Sequence, residues 1–245
     1  MKKVMFIAAL MMAALPTEAQ QIKYTINGIS KDNGKTVVLR DRRTNQIVDS
    51  AVVANGKFSM TGNAEKDAYM GVSVKDASWF TMFFNDGTPV IINLNDSTLK
   101  GSPLNERLTR YDIEINAPYS NYMMKVQSMS EEEREKKKLE LAGGLMIAVM
   151  KMMEGVEKVF KEERETLIPV AFIDDYQLVL GQEKFDSVIA TKPAWINHPI
   201  AKSQVEYFAQ QKAQEAKYTS FHGDDLLSGL FSIKHPGFVQ NVASL

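Results

Sequence analysis

The dipeptide Asn55-Gly56 constrains the fold of this chain more than any other short feature. It joins two segments rich in apolar and β-branched residues, and a two-residue Asn-Gly connection is the strongest short-range signal of a β-hairpin because both residues tolerate positive φ. The register of such a hairpin places Ala54 opposite Lys57 and Val53 opposite Phe58. Because side chains alternate along a strand, we expect one buried face made by Ala51, Val53, Phe58 and Met60.

Short extended segments recur at near-even spacing on both sides of this turn, separated by Gly, Asn and Asp. This pattern is typical of a β-sandwich or a partly closed barrel and not of a parallel α/β sheet. We expect about eight strands, at residues 21–29, 36–40, 47–54, 57–62, 69–75, 79–84, 90–94 and 97–101. The predicted fold class is therefore α+β, with an N-terminal antiparallel β-sandwich over residues 20–101.

Apolar residues change to a helical period after residue 101. Ser102 followed by Pro103 indicates a helix start, with a hydroxyl at the N-cap and proline at the first helical position. Ser130 and Glu133 have the spacing of a capping box. Pro118 is expected to kink or end the first helix. We expect a C-terminal helical region over residues 102–217 and an irregular tail over residues 218–245.

The first 19 residues have the features of a signal peptide, with two lysines, an apolar run over residues 4–15 and Ala19 at the cleavage position. The chain has no cysteine, which excludes disulfides, thiolate metal sites and anchoring through an acylated cysteine. We expect a periplasmic or secreted protein without a membrane span after cleavage. The formal net charge of -1 gives no reason to expect nucleic acid as a partner.

Two apolar features are candidates for a ligand or partner surface. Segment 79–84 carries apolar side chains on both faces, which is typical of a strand covered on both sides but also suits a ligand pocket. Methionines are concentrated in the helix predicted after the capping box, where they serve as core packing or as an adaptable surface for a partner. We place the candidate surface at the seam between this strand and this helix, at Trp79, Phe83, Met146, Met150, Met152 and Met153.

The residues show no catalytic pattern. The three histidines, His198, His222 and His235, have no partner at a metal-ligand spacing, and we expect His198 to be exposed or to cap a helix. We therefore expect no enzyme activity, no catalytic residue and no cofactor. One metal alternative stays open, because the thioethers of the methionine cluster would suit Cu(I).

Several short motifs occur in an order that resembles a known domain. They are Asp49-Ser50-Ala51, Asn55-Gly56-Lys57-Phe58, Gly62, Phe83-Phe84, Gly101-Ser102 and Asn105-x-x-Leu108-x-x-Tyr111. Together they resemble the N-terminal domain of unknown function that precedes a thioredoxin-like domain in thiol:disulfide interchange proteins of Bacteroidota. The resemblance covers about residues 20–217, and residues 217–221 look like the entry to the thioredoxin-like domain.

The resemblance implies a non-catalytic role. In those proteins a CxxC motif of the thioredoxin-like domain carries the redox activity, and this chain has no cysteine. We expect an exported binding or interaction module whose partner is a separate thioredoxin-like or other periplasmic protein. The alternative is a truncated or divergent thiol:disulfide interchange protein that has lost its CxxC domain.

Overall fold

Two structural parts follow one another along the chain. The structure is a computed structural model, and it describes residues 20–219. The side chains of residues 176–180, 182 and 215–219 are not described. Eight strands form two sheets, and helices follow, so the α+β class is confirmed. The predicted signal peptide and nearly all of the predicted tail lie outside the described residues.

The eight strands form two four-stranded sheets. One sheet has the order β4-β1-β7-β8 and the other has the order β3-β2-β5-β6. Their bounds are β1 Gln21–Ile29, β2 Thr36–Asp41, β3 Ile47–Val52, β4 Lys57–Glu65, β5 Tyr69–Val74, β6 Thr81–Phe84, β7 Val90–Asn93 and β8 Thr98–Lys100. All neighbouring strands are antiparallel except β1 and β7, which run parallel and so depart from the purely antiparallel expectation.

The Asn55-Gly56 turn forms, but the hairpin predicted around it does not. Asn55 and Gly56 have φ of 52° and 75°, and Ala54 and Lys57 exchange backbone hydrogen bonds of 2.8 and 3.0 Å. Beyond this one pair the strands separate, because β3 pairs with β2 and β4 pairs with β1 in the opposite sheet. The predicted pairing of Val53 with Phe58 is therefore wrong.

The buried face predicted for these two strands is nevertheless observed. Val53, Phe58 and Met60 are buried in the sandwich core and Ala51 packs against it, while Lys57, Ser59 and Thr61 are exposed. The two strands lie in opposite sheets and present their apolar sides to the same interior. The turn therefore connects the two sheets of the sandwich, and side chains still alternate between buried and exposed along both strands.

A hydrogen bond between the two sheets stabilises the edge of the sandwich. The Tyr24 hydroxyl on β1 donates to the Asp49 carboxylate on β3 at 2.9 Å. Gly62 lies opposite Tyr24 in the sheet, and a Cβ atom at this glycine would lie 2.4 Å from the Tyr24 hydroxyl. Burial and the neighbouring carboxylate raise the pKa of Tyr24 to about 12, so the phenol stays protonated as the donor.

The helical part begins directly after the sandwich. Its helices are α1 Pro103–Gln127, α2 Glu131–Lys136, α3 Lys138–Glu162, α4 Ile173–Ala190 and α5 Pro199–Thr219, with 3-10 turns at Ile168–Phe172 and Ala194–Asn197. Ser102 caps α1 and the capping box of Ser130 and Glu133 caps α2, as predicted. The chain breaks at Lys137, so the single helix expected after the capping box is two helices.

Pro118 does not end α1, which continues to Gln127. A proline inside a helix removes one backbone hydrogen bond, and contacts with α3 hold the helix beyond this point. The Tyr122 hydroxyl donates to the Leu141 carbonyl at 2.7 Å, and Tyr122 packs where Gly144 leaves room for its ring. Tertiary packing therefore outweighs the local cost of the proline.

A second hydrophobic core joins the helices to one sheet of the sandwich. It contains Leu108, Tyr111 and Ile115 from α1, residues from α3, α4 and α5, and Trp195, which is fully buried. Strand β6 contributes Phe84 to this core and Phe83 to the sandwich core. The strand is therefore covered on both sides, as its two-sided apolar pattern indicates.

Candidate interaction surface

The residues predicted to form one seam lie in different environments. Phe83 is buried inside the sandwich core, and Trp79, which precedes β6, packs against the same core. Met152 packs against the second core and Met153 is partly buried. Met146 and Met150 are exposed on α3. The structure thus brings Trp79 together with Phe83, but it does not join that pair to the methionines.

The exposed methionines belong to a regular apolar face of α3. Leu139, Gly143, Met146, Met150 and Met153 follow one another at spacings of four, three, four and three residues, which places them on one side of a helix. Leu139, Met146 and Met150 are 90%, 68% and 53% exposed. We call these five residues the outer face of α3.

The opposite side of α3 explains why this face points outward. Ala148 and Val159 are buried there, and α3 packs along α1. Two glycines on this inner side allow close contact, because a Cβ atom at Gly144 would lie 2.9 Å from the Tyr122 ring and one at Gly155 would lie 2.8 Å from Ile115. The inner side is therefore already occupied by α1.

Few charges border the outer face. Glu140 and Lys151 are exposed along one flank, where Ile147 is also 58% exposed. Two of the three lysines that precede the face form ion pairs with acidic neighbours, Lys136 with Glu132 at 2.5 Å and Lys138 with Glu135 at 3.6 Å. Between Leu139 and Met153 the face is thus an apolar strip with one acidic and one basic residue beside it, and the exposed Glu154 follows at its C-terminal end.

The crevices at the junction of the two parts are too small for an organic ligand. One of about 30 Å³ lies between the sandwich and the start of α5, and another of about 50 Å³ lies between β6, α1 and the first 3-10 turn. Pockets for small molecules typically measure about 300 to 1,000 Å³. The second crevice is lined by Thr81, whose buried hydroxyl has no protein partner in the described part of the chain, and suits water.

His198 caps a helix, which was one of the two predicted alternatives, and it is buried. Its Nδ1 atom accepts a hydrogen bond from the Ile200 backbone N–H at 3.2 Å, so its Nε2 atom carries the proton and donates to the Asp67 carbonyl at 3.0 Å. The ring also packs edge-on against Phe84, with ring centroids 5.9 Å apart. His198 therefore links the start of α5 to the sandwich in its neutral form.

Lowering the pH below about 6.5 is expected to destabilise the protein through His198. Burial lowers the pKa of this ring, while the Asp67 carbonyl and the nearby Asp41 act in the opposite direction and Arg43 acts with burial. The unfolded chain therefore binds the proton at a higher pH than the folded protein. The stabilising contribution is complete above the ordinary histidine pKa and is lost as the pH falls toward the folded pKa.

Urea unfolding at about pH 7.5 and about pH 5.5 measures this effect, since the slope of stability with pH reports differential proton binding. A His198→Gln variant should lose less free energy of unfolding between these pH values than the unmodified protein. The double variant His222→Gln, His235→Gln is the matched control and should keep the full loss. An equal loss in the His198→Gln variant would contradict the proposed linkage.

Metal and membrane features are limited in the described residues. Between residues 20 and 219 no group of three or more His, Asp or Glu side chains is arranged to hold a metal ion. No helix in the same range combines the length and apolarity needed to cross a bilayer. His222 and His235 lie outside this range, and the Cu(I) alternative for the methionines stays a prediction.

Comparison with known proteins identifies the first part of the chain as similar to a domain of unknown function. The fold defines the class of this protein, which is α+β with an eight-stranded sandwich. The model of the family described as Domain of unknown function (DUF4369) matches residues 22–108. A search of curated proteins found no match. The matched residues span the sandwich and the first turns of α1, whereas the outer face of α3 lies beyond them.

The motif residues in the matched range have structural roles. Asp49 and Gly62 hold Tyr24, Phe84 anchors the second core, and Asn105 binds the Phe84 backbone. Sequence reasoning assigned no role to Asn105 and left His198 between two alternatives. Asn105 lies among the apolar positions of α1, and this position could have indicated its role. A polar side chain that is fully buried is generally hydrogen-bonded, so a buried Asn105 needs a partner.

Proposed function

We propose that this chain is a non-catalytic interaction module that binds an apolar helix of a partner protein on the outer face of α3. The observation that carries the proposal is the row of exposed apolar residues at alternating spacings of three and four. A 3-4 spacing of apolar residues is the pattern by which one helix packs against another with side chains inserted between those of its partner.

The composition of α3 supports a covered face. Between Leu139 and Met153 only Glu140 and Lys151 are charged, so the helix is apolar on nearly all sides. A helix of this kind is normally buried on all sides. Here α1 covers one side, and the outer face remains exposed. Methionine side chains adapt their shape to a partner, which suits a binding surface.

The resemblance to thiol:disulfide interchange proteins supports an exported location and a periplasmic partner. The match of residues 22–108 to a domain of unknown function agrees with the part of the resemblance that concerns the sandwich. In this proposal the helical part supplies the docking face and the sandwich supplies a rigid base for it. A thioredoxin-like protein is one candidate for the partner.

A photo-reactive amino acid incorporated at Met146 is expected to give one defined adduct with a protein in the native compartment. The same amino acid at Lys158 is the matched control, because Lys158 is exposed on the same helix but off the outer face. Adding the change Met150→Glu to the Met146 probe should reduce the adduct by about tenfold or more, since a charge at the centre of an apolar interface is strongly unfavourable.

Mass spectrometry identifies the captured residues of the partner, and these should lie on one apolar helical face. Equal labelling from Met146 and Lys158, or labelling that Met150→Glu leaves unchanged, would overturn the proposal. Circular dichroism of the Met150→Glu variant checks that the effect is on binding. Because the outer face does not pack against α1, the variant should keep its helical signal.

A further inference from the structure

We infer that the helix bound on the outer face of α3 is α3 of a second copy, in an antiparallel two-fold pair. This inference rests on the proposed function and names its partner. A two-fold interface requires a surface that is complementary to itself. The outer face meets this requirement in its side-chain sizes, in its flanking charges and in the position of one glycine.

Gly143 is the strongest sign that the outer face receives a side chain from another molecule. A glycine inside a helix costs about 1 kcal/mol relative to alanine, and the chain's other two glycines in α3 are explained by close contacts with α1. A Cβ atom at Gly143 would meet nothing within 4 Å in the described protein. The gap between Leu139 and Met146 therefore offers room for a large side chain from outside.

An antiparallel pair centred between residues 144 and 145 fills this gap. In that register Met146 of each copy lies opposite Gly143 of the other, and Leu139 lies opposite Met150. A small residue then faces a large one at the two central positions, and two large side chains face each other at each end of the contact. The contact is about 11 residues long, or roughly 16 Å of helix, which predicts a weak dimer.

The flanking charges are complementary in the same register. Glu140 and Lys151 lie on the same flank of the outer face and are both exposed. Antiparallel pairing brings Glu140 of one copy to within about two residues of Lys151 of the other, and the two-fold axis repeats the pair. In a parallel two-fold pair this flank lies on opposite sides of the contact in the two copies, so neither charge would meet an opposite charge.

The charges near the face do not favour a membrane surface as its cover. Residues 131–140 hold five carboxylates and four cationic side chains. Binding to an anionic bilayer needs a local excess of Lys and Arg beside the apolar face. A second copy of α3, whose flank carries both acidic and basic residues, matches the face better.

Sedimentation equilibrium of the purified protein over about 5 to 500 µM is the first test. The average mass should rise toward twice the monomer mass.

Gly143→Gln should raise the dissociation constant about tenfold or more by filling the gap, while the helical signal and the melting temperature stay equal or rise. Glu140→Lys and Lys151→Glu should each weaken the dimer, and the double exchange should restore it.

The absence of native cysteine permits a test of orientation. A mixture of Gly143→Cys and Met146→Cys chains should form a disulfide-linked dimer faster than either chain alone, because only the mixed pair is opposed in the proposed register. Lys158→Cys is the control for random collision and should not form it.

Three results would overturn the inference. They are a constant monomer mass over the whole range, a Gly143→Gln dimer as tight as that of the unmodified protein, and binding of the monomer to vesicles of phosphatidylglycerol and phosphatidylcholine. A monomeric protein that still gives a specific Met146 adduct with a different protein would remove the second copy as partner and leave the proposed function standing.

Discussion

Replacing Asn105 by leucine is expected to lower the free energy of unfolding by about 2 to 6 kcal/mol. Asn105 is fully buried at the start of α1, and its side-chain amide bonds to both backbone groups of Phe84 at the open edge of β6. The Phe84 N–H donates to Oδ1 at 2.7 Å, and Nδ2 donates to the Phe84 carbonyl at 2.8 Å. Leucine leaves both groups buried without a partner, at about 1 to 3 kcal/mol each.

Asn116→Leu is the matched control for this prediction. Asn116 lies on the same helix, but its amide binds only Asp112 at the surface. The control should change the free energy of unfolding by less than about 0.5 kcal/mol. Urea unfolding followed by circular dichroism measures both variants. An Asn105→Leu variant as stable as the control would show that Phe84 finds other partners.

The change Asn105→Asp separates the two hydrogen bonds. Aspartate keeps the acceptor for the Phe84 N–H, but when ionised it has no donor for the Phe84 carbonyl and buries a charge. A protonated carboxyl can donate again. This variant should therefore recover part of its stability relative to the unmodified protein as the pH is lowered, whereas Asn105→Leu should show no such recovery.

The alternation of strand residues was sufficient to predict which side chains are buried, but not which strands pair. Phe58 and Val53 point into one core whether their strands lie side by side or in opposite sheets. The choice depends on Lys35 and Gly34, which exchange backbone hydrogen bonds with Val53. These residues are about 20 positions away in the sequence, so the local turn signal could not reveal them.

The outer face of α3 shows a similar limit. The apolar residues of this helix are so numerous that its period marks no single buried side, and Met146 and Met150 look like a widening of the core stripe. Packing of Tyr122 and Ile115 against Gly144 and Gly155 decides which side meets α1. That choice depends on the tertiary contact and leaves the two methionines exposed.

The role of Asn105 could not be predicted from its neighbours either. At the third position of a helix, after a capping serine, asparagine normally contacts solvent or the helix terminus. Here the Asn105 side-chain amide instead bonds to the backbone of Phe84 at the edge of β6, 21 residues earlier in the chain. The sequence resemblance includes Asn105, but only the fold shows that it joins the sandwich to the helices.

Truncation of Phe84 is expected to cost about 3 to 5 kcal/mol of unfolding free energy, the usual range for a buried phenylalanine. Phe84 is fully buried, stacks on Tyr69 with ring centroids 4.7 Å apart and meets the His198 ring edge-on. Phe84→Ala therefore removes the sandwich's main aromatic contact with the second core. Phe80→Ala is the control, because Phe80 is only partly buried next to the same strand, and should cost clearly less.

Hydrogen exchange shows where this loss acts. Phe84 belongs to the second core and Phe83 to the sandwich core, so the two truncations should weaken different parts of the protein. Phe84→Ala should lower amide protection first in α1 and α3, while β1 and β4 stay protected. Phe83→Ala should lower protection in the strands. If both variants lowered protection uniformly over all elements, the two cores would form one cooperative unit, and the sandwich would not be an independent base for the helices.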